Sequence, residues 1–94
     1  MTQNSTIQEA LKRINSHDWL WMMADYGYVR NYNAAKADMR EFVKLIATIE
    51  DKEVRESLKA LWMLRHEEAR NSINGRKTEN YEARKAKLMT AIAA

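Results

Sequence analysis

The side chains that most often carry chemistry are sparse in this chain: two histidines, His17 and His66, no cysteine, and thirteen carboxylates spread over 94 residues. Two histidines one helical turn apart, or a glutamate three residues before a histidine, share a helix face and can hold a metal between facing helices. Neither His17 nor His66 stands in such a spacing, and His66-Glu67-Glu68 reads as solvated polar surface. Nucleophilic catalysis finds no GxSxG elbow and no Ser-His-acid set that stands out. Many carboxylates have a cation at helical-neighbour spacing, as in Asp51 with Arg55, Lys52 with Glu56 and Glu82 with Lys85. Such pairs on exposed helix contribute about 0.2–0.5 kcal/mol each. Two isolated glycines cannot build a loop that cradles phosphate. The expectation is a protein that is not an enzyme, with no catalytic residue, metal ion or cofactor.

Two anomalies point to binding instead. Charge is balanced over residues 1–64, with nine Lys or Arg and nine Asp or Glu, whereas residues 65–94 carry seven against four. In that last third Arg76 and Lys77 fall in a turn between helices, and Arg84, Lys85 and Lys87 follow on the next helix. These five are the candidate phosphate contacts of a nucleic-acid-binding accessory protein. Glu67, Glu68, Glu79 and Glu82 dilute the group, so a mixed solvated face is the competing reading.

The second anomaly is aromatic. Five of the eight aromatic residues (Trp19, Trp21, Tyr26, Tyr28 and Tyr32) lie within fourteen positions. On a helix, Trp19 joins Met22, Met23 and Tyr26 on one side, while Trp21 points away and needs a partner or water. A strand would put both tryptophans on one face and weaken the case for a partner. Trp21, Leu20, Tyr28 and Met63 are the candidate protein interface, with a homodimer the simplest occupant. A third reading is an apolar ligand pocket lined by Trp19, Met22, Met23 and Phe42.

The elements that must position these groups are helical. No proline occurs, and Ala, Glu, Lys, Arg, Leu and Met, the good helix formers, are abundant. Thr6-Ile7-Gln8-Glu9 is a capping signature, and Ile7, Ala10, Leu11 and Ile14 line one face of a helix over about 6–15. A short helix is expected over 18–26, stopped by Gly27. The clearest amphipathic segment runs from about 33 to 50, with Met39, Phe42, Val43, Ile46 and Ile49 on one side. Asp51 restarts the chain as an N-cap for a helix over 52–74 that ends at Asn74-Gly75. After Leu64 its buried face shifts toward Trp62, Ala69 and Ile73. A last helix over 78–92 turns Tyr81, Leu88, Met89 and Ile92 inward, and its docking is expected to be weak because Arg84 and Lys85 flank that stripe.

The chain therefore reads as one all-α domain over 1–94, a small bundle of three longer helices plus one or two short ones. No run approaches the ~20 apolar residues that span a bilayer. The N-terminal MTQNSTIQEALKRI has no basic start followed by an apolar run, so the expected location is the cytoplasm and no membrane partner is expected.

The stretch DWLWMMADYGYVRNYNAAKADMREFVKLI resembles small helical proteins of Bacteroidetes and their mobile elements, which share a tryptophan- and methionine-rich segment after a short first helix. That resemblance covers about a third of the chain. It implies a bacterial accessory protein and brings no catalytic residue or cofactor with it. The expected function is a non-enzymatic protein–protein interaction or regulatory accessory protein, self-associating through the aromatic surface, with nucleic-acid binding as the alternative.

Overall fold

A computed structural model describes the backbone of residues 2–16 and 28–93 and the side chains of residues 4–16 and 36–93. Four helices and no strand occur among the described residues: α1 (Thr2–Ser16), α2 (Tyr28–Ile46), α3 (Lys52–Ile73) and α4 (Tyr81–Ala93). The fold is all-α. The helix expected over 18–26 lies outside the described residues, as do Trp19, Leu20, Trp21, Met22, Met23, Tyr26 and Gly27.

α1 begins four residues before the expected cap at Thr6, which sits inside the helix. Nucleating a helix is costly and extending it is not, so a segment anchored by Ile7, Ala10 and Ile14 continues backward through polar residues without glycine or proline. α2 ends at Ile46 rather than near 50. The Thr48 hydroxyl donates to the Leu45 carbonyl at 3.3 Å, and the Ile49 N–H donates to the Ile46 carbonyl at 3.0 Å. Ile49 still reaches the core, although from the connection rather than from a helix.

Asp51 caps α3 as its sequence context predicts. Its Oδ1 accepts from the N–H groups of Glu53 (2.9 Å) and Val54 (3.3 Å). Arg55 does not pair with Asp51 in the way its spacing suggests; Nη1 donates to the carbonyls of Ile49 and Glu50 and ties off the connection that precedes its own helix. At the other end, the Gly75 N–H donates to the Ser72 carbonyl (3.1 Å) and the Arg76 N–H to the Asn71 carbonyl (2.7 Å). This is the Schellman pattern, and Gly75 at φ +71° supplies its left-handed residue. α4 starts at Tyr81, not Thr78, because Asn80 stands at φ +55°, outside helical geometry.

α3 is central and packs against α1, α2 and α4. Its spacing explains this. Val54, Leu58, Trp62 and Ala69 form one stripe, and Ser57, Leu61 and Leu64 are buried further around the axis. Phe42 of α2 stacks on Trp62 with ring centroids 4.5 Å apart and planes at 29°, a geometry that adds to simple area burial. Ala10 and Ile14 of α1, Ile46 and Ile49, and Ile92 of α4 complete the core. Phe42 is fully enclosed in this packing; Trp19, Met22 and Met23, which with it would line the apolar ligand pocket considered from the sequence, lie outside the described residues.

Candidate interaction surfaces

Of the four residues expected at a protein interface, Met63 is placed on α3 and is 51% exposed. Tyr28 is the first residue of α2, with its side chain outside the described residues, and Leu20 and Trp21 lie outside them altogether. Ile73 (42%) and Met89 (38%) are the other exposed large apolar side chains among the described residues. Both were expected to face inward. Ile73 is in the last turn of α3, and Met89 lies about 100° around the axis from Leu88, at the edge of the α4 stripe.

The five candidate phosphate contacts divide. Arg76 and Lys77 are exposed in the α3–α4 connection, and Lys87 is exposed on α4. Arg84 is occupied: Nη1 and Nη2 donate to the two carboxylate oxygens of Glu67 at 3.2 and 3.1 Å, and Nη1 also reaches the Glu79 carbonyl at 3.4 Å. Lys85 is half-buried, with Nζ 5.8 Å from the centroid of the Tyr81 ring one turn earlier. Arg84 thus bridges α4 to α3 through a surface ion pair, and α3 with α4 is the most extensive helix pair among the described residues. Near the turn the Asn71 side-chain amide also donates to the Thr78 hydroxyl at 2.9 Å.

These contacts leave their mark on titration. The hydrogen bonds from Arg84 hold the Glu67 carboxyl below its ordinary value, and Glu67 in turn raises Arg84. Burial pushes the Tyr81 phenol up, partly opposed by the nearby Arg65.

No family model, curated protein or solved structure matches the chain.

Function is then to be read from side chains alone. Among the described residues no three histidine or acidic groups converge in a way that holds a metal ion, and no helix is long and apolar enough to cross a membrane. What sequence counting missed is a cleft between α2 and α3, lined by Val43, Ile46 and Ala47 on one side and Arg55, Glu56 and Lys59 on the other. The i, i+4 spacing of Arg55 and Lys59 is the signal that marks them as neighbours on one face.

Proposed function

We propose that this protein is a small non-enzymatic accessory protein of the bacterial cytoplasm that works by binding another protein, the simplest case being a second copy of itself. The observation that carries the reading is where apolar surface is left uncovered. Among the described residues, all the large apolar side chains in the exposed class (Met63, Ile73 and Met89) belong to the α3–α4 hairpin, whereas those of α1 and α2 are buried or half-buried. Methionine is a frequent interface residue, and its flexible thioether adapts to more than one partner surface. The resemblance of residues 18–46 to the Bacteroidetes proteins supports the bacterial setting.

Sedimentation equilibrium over a wide concentration range tests this, with affinity capture from the native cell for a different partner. Association that weakens in a Met63→Lys variant is the expected result. A strict monomer that captures no protein overturns the reading.

A second reading, nucleic-acid binding, is favoured by the exposure of Arg76, Lys77 and Lys87. It requires binding to DNA that falls as salt rises and that drops when these three are replaced by alanine.

A further inference from the structure

The cleft between α2 and α3 has a volume of about 420 Å³, within the ~300–1,000 Å³ range of ligand and side-chain pockets. Its floor is apolar: Ile46 is in the core, Val43 is half-buried, and Ala47 stands exposed at the lip. The Phe42–Trp62 stack fixes the separation of the two helices, so the opening is preformed. Arg55 is held by the Ile49 and Glu50 carbonyls through Nη1 alone, which leaves the remaining guanidinium donors and the full charge beside the cleft. Lys59 stands one turn further along α3, and Met63, half exposed, one turn beyond that. On α2, Arg40 precedes Val43 by three residues and Ala47 by seven, which places it on the same flank of that helix. The cleft thus sets Arg55 and Lys59 with Glu56 on one wall against Val43, Ile46 and Ala47 on the other, and helical register puts Arg40 beyond its α2 end.

We propose that this cleft is the docking site for an acidic amphipathic helix of a protein partner, its apolar stripe laid on Val43, Ile46 and Ala47 and its carboxylates against Arg55 and Lys59, with Arg40 at the end of the same flank. The proposal rests on the reading of the chain as a protein-binding accessory and names the chemistry of what it binds. Helix-in-groove recognition uses apolar anchors at i, i+3 or i+4, and i+7, and opposite charge on the rims steers and orients the incoming helix. The rise from Arg40 to Ala47 is about 11 Å, so two turns of partner helix fill the trough. A nucleic-acid backbone would satisfy the cations but offers nothing to the apolar floor.

The test uses a fluorescein-labelled peptide of about five turns, ~18 residues, with leucines along one face and glutamates flanking them. A scrambled peptide of the same composition and a ~20-base-pair DNA duplex serve as controls. Fluorescence anisotropy against the full chain is expected to show tighter binding of the patterned peptide than of either control. Its affinity is expected to fall about tenfold or more in the Arg40→Glu/Lys59→Glu double variant. Ala47→Trp, which fills the cleft from an exposed position, is expected to weaken it comparably, and circular dichroism confirms that both variants fold. Equal binding of the scramble, preference for the duplex, indifference to both variants, or no binding each overturns the proposal. If the cleft fails in this way while the chain still self-associates or captures a protein through Met63, the broader reading stands and this site does not.

Discussion

α3 is held in two different ways along its circumference. Toward α1 and α2 it is held by apolar enclosure: Ile14, Phe42, Ile49 and Leu58 are the largest fully buried side chains, and the Phe42–Trp62 stack lies among them. Toward α4, its most extensive helix contact among the described residues, fewer side chains are fully buried. Ile92 is the single residue of α4 in the buried class, Tyr81 and Leu88 are half-buried, and much of what holds the turn end is polar: Glu67 with Arg84, and Asn71 with Thr78. Apolar burial carries no charge to be screened or titrated, whereas exposed ion pairs are screened and titrate. The packed faces of α1, α2 and α3 should therefore behave as a fixed frame and α4 as its adjustable part.

The largest expected effect breaks the frame. Phe42→Ala removes one partner of the stack and leaves a cavity, and is expected to cost about 3–5 kcal/mol in urea unfolding. Ile92→Ala is expected to cost less, about 2–3 kcal/mol, and hydrogen exchange should rise on α4 while α2 keeps its protection. Equal loss of protection on both helices would erase the distinction between the two regions. Gly75→Ala is smaller again. Nothing lies within 4 Å of the added Cβ, so the cost is that of placing alanine at φ +71°, about 1 kcal/mol.

The pH response of the hairpin is the smallest effect and the sharpest discriminator. Glu67 has a lowered pKa in the fold, so its contribution is present above the ordinary carboxylate range and is lost as pH falls through the lowered value. Tyr81 has a raised one, so its contribution holds below the ordinary phenol range and is lost as pH rises through the raised value. Thermal melts should show both limbs, and Glu67→Gln should flatten the acid limb without touching the alkaline one.

Much of the architecture was legible because its signals are local. Asp51 caps the N–H groups two and three residues ahead, and Asn74-Gly75 closes a turn within six residues, so both could be read from neighbouring letters. The end of α2 could not. The apolar pattern runs on to Ile49, but the chain leaves the helix after Ile46 and Ile49 enters the core from a connection whose carbonyls Arg55 of the next helix ties off. Charge was misleading for a related reason. Counting along the chain gives balance over residues 1–64, yet the fold gathers Arg55 and Lys59 at one cleft, because position around a helix axis does not appear in a running sum. Met89 and Ile73 show the reverse error: apolar identity was legible, but whether the rest of the fold covers them was not.

The α3–α4 turn also bears on the order of folding events. Seven residues, 74–80, separate the two helices, so the entropy lost in closing that loop is small and grows only with the logarithm of its length. A tether this short keeps a detached α4 at a high effective concentration near its seat. The hairpin is thus expected to assemble early, and to reseat quickly after each opening. A single proteolytic cut among residues 76–79 would convert that reseating into a bimolecular encounter and release the last helix from the frame.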